Sequence, residues 1–184
     1  MARTLITTNT HASATTLSTF TSGIDSTYRL YIFSFFDVNP DTDGAEFNFN
    51  GSIDAGSNYN VSKTTNVFQV YHNEGGGSNH TAQGMDGYQG GFDLANATGD
   101  QTIAHGLGNV ASESVAGELF LFNPSEDGTY VKHFYSTVNE NHSGDNTLNL
   151  YVSGYFNNTA NIDAVRFQMD SGDWTGTIKM YGVG

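Results

Sequence analysis

The pattern of apolar and polar residues near the C-terminus alternates strictly. Ile178 and Met180 fall on one side of the pattern, and residues 177, 179 and 181 fall on the other. Successive side chains of a β-strand point to opposite faces, so the alternation predicts a half-buried strand over residues 176–182. We expect Ile178 and Met180 to face a core, and the chain to close on this packed strand with no tail beyond it.

Comparable patterns recur along the chain. Residues 28–36 are apolar on both faces, which predicts a central strand covered on both sides, or one whose outer face meets a partner. Residues 45–50 alternate, with Phe47 and Phe49 predicted to point inward. Further strands are predicted at residues 15–20, 66–72, 101–107, 114–123, 129–135, 148–156 and 163–169.

Polar and Gly-rich segments separate these strands. Turns or loops are predicted at residues 37–44, 51–63, 123–128, 138–146, 157–158 and 170–173, and a long Gly-rich surface loop at 73–91. We find no convincing helical periodicity. Eight to ten strands joined by frequent turns predict an all-β fold, an antiparallel jelly-roll-like β-sandwich.

The 184 residues predict one sandwich domain over residues 23–184 and a separate N-terminal segment over residues 1–22. The N-terminal segment is rich in Thr and Ser and has few apolar residues. It is either a frayed terminus or an arm that becomes ordered on a neighbouring subunit. A short first strand at residues 15–20 would place Leu17 and Phe20 inward.

Charge and composition narrow the functional classes. The net charge is −13, from six Lys and Arg against 19 Asp and Glu. Nucleic acids and anionic membranes are bound by basic patches, so neither is an expected partner. The chain has no Cys, which excludes disulfides and thiolate metal sites. The first residues lack the apolar run of a signal peptide, so we expect synthesis in a cytoplasm.

One turn has the spacing of half a calcium loop. Asn39, Asp41 and Asp43 place oxygen atoms at alternate positions before Gly44, as at the start of an EF-hand loop. The position that requires a bidentate Glu is Asn50, and strands rather than helices flank the turn. The two interpretations are a turn rich in Asx residues and a calcium site of another kind.

The other polar residues form no catalytic pattern. The six His lack the spacing of a metal site, and His72 and His133, in predicted strands, are expected to be structural. A carboxylate pair could serve glycosidase chemistry, but the sequence defines no separation between candidates such as Glu46, Glu74 and Glu118. We therefore predict a non-enzymatic protein without a cofactor.

Aromatic residues are abundant, with 13 Phe and 10 Tyr. Those with a polar group either belong to the core or a subunit interface, or form a platform on which sugars stack. The residues concerned are Tyr28, Tyr31, Tyr130, Tyr135, Tyr151, Tyr155 and Trp174.

Several short strings, in their order and spacing, give a further indication. They are GIDSTY at 23–28, VNPDTD at 38–43, YHNE at 71–74, LFLFNPS at 119–125, YVKHF at 130–134 and GTIKMYG at 176–182. Through these strings the chain resembles a family of small virion structural proteins of marine tailed bacteriophages, cyanophages among them. The resemblance implies a jelly-roll-like β-sandwich on the particle surface, and the family has no catalytic motif to carry over.

The resemblance leaves two functions open. One is a head decoration protein that contacts the major capsid protein or other virion proteins. The other is a tail-fibre or receptor-binding module that recognises a host surface glycan. The absence of a coiled-coil shaft favours decoration. In either case we expect a virion-surface protein made in the host cytoplasm. The two-faced strand at 28–36 and the surplus of aromatic residues favour self-association, as a homotrimer.

Overall fold

The computed structural model describes residues 2–75, 85–88, 90–126 and 128–184, with the backbone alone over 85–88. These residues are all-β, as predicted, and their strands pair antiparallel. No helix that could cross a membrane occurs among them. The strands are β1 (Arg3–Thr15), β2 (Leu17–Phe20), β3 (Leu30–Pro40), β4 (Ala45–Ser52), β5 (Lys63–Asn73), β6 (Met85–Tyr88), β7 (Gln101–Leu107), β8 (Val115–Phe122), β9 (Lys132–His142), β10 (Asn146–Phe156), β11 (Ala164–Met169) and β12 (Trp174–Val183).

The strands form two layers that face each other. One layer has the order β6-β5-β10-β9-β8-β3-β12-β1, and the other has the order β7-β4-β11-β2. On one side the layers join where Leu107 of β7 pairs with His142 of β9. On the other side only Thr16 separates β1 from β2. The result is a jelly-roll-like sandwich that is nearly closed into a barrel.

Phe167 of β11 lies at the centre of the core. Its ring centroid lies 5.2 to 6.4 Å from the centroids of five other Phe rings, contributed by both layers. These are Phe20, Phe33, Phe35, Phe47 and Phe49. The inward orientation predicted for Phe47 and Phe49 is therefore confirmed, and aromatic packing holds the two layers together.

The C-terminal strand has the predicted orientation. Ile178 and Met180 of β12 are fully buried in the core. β12 pairs with β1 on one side and with β3 on the other. The strand is thus an interior member of its layer, which explains its regular alternation.

β3 is the central strand predicted at residues 28–36. It lies between β12 and β8, and its outward-facing Ile32 and Ser34 are only 2% and 4% exposed. The strand runs on to Pro40, through residues that we expected to form a turn. A register shift between Phe35 and Val38 allows this, and Asp37 adopts a positive φ of 51° within it.

The predicted polar loop at residues 138–146 is wrong. β9 continues to His142, and β10 begins at Asn146. Val138 and Glu140 occupy inward positions of β9 and are 1% exposed each. Because Glu140 occupies an inward position, the apolar alternation of the sequence stops before β9 ends at His142.

One further expectation concerns a loop. The Gly-rich loop predicted at 73–91 falls mostly outside the described residues, although β6 lies within it. The segment after it covers β4, because Asn50 Nδ2 donates to the carbonyl of Thr98 and to Asp100 Oδ1 at 3.1 and 2.9 Å. Lys63 Nζ donates to Asn50 Oδ1 at 2.7 Å, and burial lowers the pKa of Lys63 to about 8.

β1 and β2 account for most of residues 1–22. β1 pairs with β12, and β2 pairs with β11. Phe20 is buried as expected, but Leu17 is 42% exposed and Ser18 takes the inward position. The prediction that Leu17 packs inward is therefore wrong. β1 and β6 bring the number of strands among the described residues above the eight to ten expected.

Candidate functional site

The outer surface of β8, β9, β10 and β5 carries a continuous set of rings. Every second side chain of each strand lies on this surface, and the residues between them, such as Leu121 and Phe134, are buried in the core. We call this surface the aromatic face. It consists of Phe68, Phe120, Phe122, His133, Tyr135, Tyr151 and Tyr155.

The rings of the aromatic face stack across neighbouring strands. Phe120 and Tyr135 lie opposite each other in β8 and β9, with ring centroids 4.4 Å apart and planes 17° apart. Tyr151 and Phe68 lie opposite each other in β10 and β5, with centroids 4.7 Å apart and planes 8° apart. Cross-strand stacking of this kind stabilises the sheet and fixes the orientation of each ring.

Two adjacent clefts open between these rings. The first has a volume of about 350 Å³, and its lining includes Phe122, His133, Tyr135 and Tyr155. The second has a volume of about 280 Å³ and lies between Tyr135 and Tyr151. Tyr135 and Ser153 contribute to both clefts. The clefts therefore form one groove with Tyr135 in its middle.

Among the described residues, the lining of this groove lacks acidic side chains as well as Lys and Arg. Glu118 lies opposite Thr137 in register, but its carboxylate accepts hydrogen bonds from Arg3 and Ser34. The chain as a whole has a net charge of −13, which repels anions. A groove without Asp, Glu, Lys or Arg in its lining is open to uncharged polar and apolar molecules.

Polar atoms are available within the groove. The Ser153 hydroxyl donates to Asn66 Oδ1 at 3.0 Å. The hydroxyls of Tyr135 and Tyr155 make no hydrogen bond with another described residue. A molecule in the groove can therefore meet flat rings and unused hydroxyls at the same time.

A third cleft lies elsewhere and differs in character. It measures about 380 Å³ and has Tyr28, Arg29, Glu126 and Tyr130 in its lining. Tyr130 is 68% exposed, and charges of both signs flank it. Its rings do not form a stacked platform among the described contacts, so we regard the aromatic face as the stronger candidate.

The predicted aromatic set is only partly brought together. Tyr135, Tyr151 and Tyr155 lie on the aromatic face, whereas Tyr28 and Tyr130 line the 380 Å³ cleft. Tyr31 and Trp174 are fully buried, which confirms the core alternative for these two residues. Sequence reasoning missed four members of the face, Phe68, Phe120, Phe122 and His133. The alternation shows which residues of one strand share a face, but it does not give the order in which the strands pair.

The calcium-loop candidate is held by hydrogen bonds. Asn39 donates its side-chain amide to the carbonyls of Val110 and Glu113, at 3.1 and 2.6 Å. Asp41 Oδ1 accepts the backbone N–H of Asp173 at 2.9 Å, and Asp43 is exposed. Asn39 and Asp41 thereby fasten the turn to neighbouring loops, while the calcium hypothesis itself stays a prediction.

The histidines take different positions. His72 and His133 are exposed, against our expectation of structural roles, and His80 lies outside the described residues. His105 is held inside by a 2.6 Å hydrogen bond between Nε2 and Gln69 Oε1 and by stacking on Phe92. Burial, reinforced by the nearby His142, lowers the pKa of His105 to about 4.

Glu140 is a buried acid beside His105. Its Oε2 accepts the backbone N–H of His105 at 3.1 Å, whereas Oε1 has no hydrogen-bond partner among the described residues. Burial raises the pKa of Glu140 well above its usual value. His105 is therefore neutral near pH 7, and burial favours the protonated, uncharged form of Glu140.

The other acids are dispersed. Glu46 accepts a hydrogen bond from Thr102 in one layer, whereas Glu118 pairs with Arg3 in the other. Within the described ranges, no three His, Cys, Asp or Glu side chains form a group that could hold a metal ion.

Comparison with known proteins returned no neighbour: no protein-family model, no curated protein and no solved structure matches the chain.

Proposed function

We propose that the chain is a non-enzymatic structural protein of a bacteriophage particle, and more specifically a head decoration protein on the capsid surface. The sequence resemblance to small virion proteins of marine phages supports this, together with the antiparallel sandwich and the acidic composition. The major capsid protein or another virion protein is the proposed partner, and a homotrimer is the proposed form.

The observation that supports assembly most directly is the long edge strand β1. Within the described part of the chain it pairs with β12 alone, so its second backbone edge is available along Arg3–Thr15. The strand contains neither Lys nor Pro, the residues that commonly block edge pairing. A strand of a neighbouring protein can add to such an edge through main-chain hydrogen bonds.

Copy number tests the proposal. Densitometry of purified virions, with the major capsid protein as reference, should give near-stoichiometric amounts of the chain. A few copies per particle would contradict decoration and favour the tail-fibre alternative.

A substitution tests the role of the β1 edge. Residues 12–14 have no register partner in β12. Ala14→Pro therefore disturbs the outer edge while leaving the paired part of the β1–β12 ladder intact. We expect it to reduce loading onto particles while the melting temperature changes little, with Ala14→Ser as the matched control. Equal loading of both variants would contradict attachment through β1.

A tail-fibre or receptor-binding module that recognises host glycan is the second candidate. The aromatic face favours it, because stacked, half-exposed rings are suited to ligand binding. Light scattering of the purified protein bears on both candidates, since a monomer at high concentration would contradict the homotrimer.

A further inference from the structure

The groove of the aromatic face is built from two independent pairs of rings. Tyr135 belongs to the pair on β8 and β9, and Tyr151 belongs to the pair on β10 and β5. Phe120 stacks on Tyr135 and Phe68 stacks on Tyr151, so both tyrosine rings of the second cleft are held in a fixed orientation. A ligand that enters between them meets ring surfaces that are already oriented.

The dimensions suit small rings rather than a flat protein surface. The two clefts measure about 350 and 280 Å³, and Tyr135 and Ser153 line both of them. They lie one after the other, with Tyr135 between them. Such an arrangement accommodates consecutive units of a chain molecule, one unit in each cleft.

The chemistry of the lining selects among ligands. Its rings offer apolar surface, and its hydroxyls and the Asn66 amide offer hydrogen bonds. Neither cleft is lined by a carboxylate that would neutralise a bound cation, and neither is lined by Lys or Arg that would bind an anion. A neutral molecule with both apolar faces and hydroxyl groups fits all of these features.

We propose that the groove of the aromatic face binds a neutral glycan, with one sugar ring in each cleft. The axial C–H faces of the sugars stack on Tyr135, Tyr151 and Tyr155. Sugar hydroxyls bond to Ser153, to Asn66 and to the otherwise unused hydroxyls of Tyr135 and Tyr155. This binding goes beyond decoration, and it does not depend on where the chain sits on a particle.

Titration calorimetry on the purified full chain tests the proposal. The probes are neutral oligosaccharides of glucose, galactose, mannose and N-acetylglucosamine, with oligogalacturonate as an acidic comparison and tetramethylammonium as a cationic one. We expect at least one neutral oligosaccharide to bind with a Kd below about 1 mM, a range that calorimetry resolves. The acidic and cationic probes should bind more weakly.

Two variants locate the binding. Tyr135→Ala removes the ring shared by both clefts, and Tyr151→Ala removes the opposite wall of the second cleft. Each should weaken binding about tenfold, the amount expected when a stacking ring is lost. Because the two residues lie on different strands, one variant remains informative if the other folds poorly, as judged by thermal unfolding.

The matched control is Tyr130→Ala, which removes a 68% exposed ring outside the groove. It should bind the same oligosaccharide as tightly as the unmodified chain. The proposal is overturned if none of the neutral oligosaccharides binds, if tetramethylammonium or oligogalacturonate binds more tightly than they do, or if binding survives both groove variants. None of these results bears on the copy number per particle, so the proposal of a decoration protein is tested independently.

Discussion

At the scale of single residues, Glu140 has the clearest pH-dependent consequence. Its pKa is raised by burial, so the folded state holds its proton at pH values where the unfolded chain releases it. The stabilising contribution is complete below the unfolded pKa of 4.5 and is lost as pH rises through the folded pKa. Glu140→Gln removes this loss, and it should make the folded state more stable at pH 8 by about 1–3 kcal/mol.

Urea unfolding at a series of pH values checks this prediction. His105, whose pKa is lowered to about 4, acts in the opposite sense, because its contribution is lost as pH falls from 6.5 towards 4. The informative quantity is therefore the difference in unfolding free energy between the variant and the unmodified chain. That difference should grow with pH, and a constant difference would contradict the assignment. Glu74→Gln is the control, since Glu74 is exposed.

The Phe167 ring contributes to stability by filling the space between the two layers. It contacts five other Phe rings from both layers. Phe167→Ala should lower the free energy of unfolding by about 3–5 kcal/mol, because a large cavity would remain between the layers. Phe36→Ala, at a position 42% exposed, is the control and should cost much less. Similar losses in the two variants would show that the core collapses around the missing ring.

At the scale of elements, the sequence predicted strands wherever one face was apolar. β4 and β12 follow this rule, and their inward residues were identified correctly. β9 departs from it because Glu140 takes an inward position, and the second half of the strand was consequently taken for a loop. β1 was missed because Thr, Ser and Asn fill most of it, so pairing to β12 rather than an apolar face maintains the strand.

The aromatic face shows a second limit of the sequence. Alternation relates residues within one strand, but Phe68 and Tyr151 are 83 residues apart in number. Only the pairing of β5 with β10 places their rings in contact. Candidate ligand sites built across several strands therefore require the strand order, which is a long-range property.

β1 packs against the rest of the sandwich through side chains as well as through its pairing with β12. His11 lies edge-on to Trp174, with ring centroids 4.9 Å apart, and Ile6 packs against the core. Deletion of residues 1–15 should uncover these contacts and one edge of β12, lowering the melting temperature and the hydrogen-exchange protection of residues 176–183. Deletion of residues 1–2 alone is the control. An unchanged melting temperature after the longer deletion would favour the frayed terminus.

At the scale of the whole molecule, negative charge opposes folding. The net charge is −13, and the described residues contain three ion pairs, Arg3–Glu118, Lys132–Glu126 and Arg166–Asp100. Most acids are therefore not paired with a cation at short range. Their mutual repulsion destabilises the compact state and weakens as salt shortens the screening length from about 30 Å at 0.01 M to about 3 Å at 1 M.

Sodium chloride should therefore raise the melting temperature by several degrees over this range, as measured by calorimetry. A variant with Asp43→Asn, Glu74→Gln and Asp145→Asn, three exposed acids, separates charge screening from general salt effects. It should melt higher than the unmodified chain in low salt and respond less to added salt. If both proteins gain equally, the stabilisation comes from salt acting on apolar surface. A chain stabilised by charge screening is suited to a medium of high ionic strength.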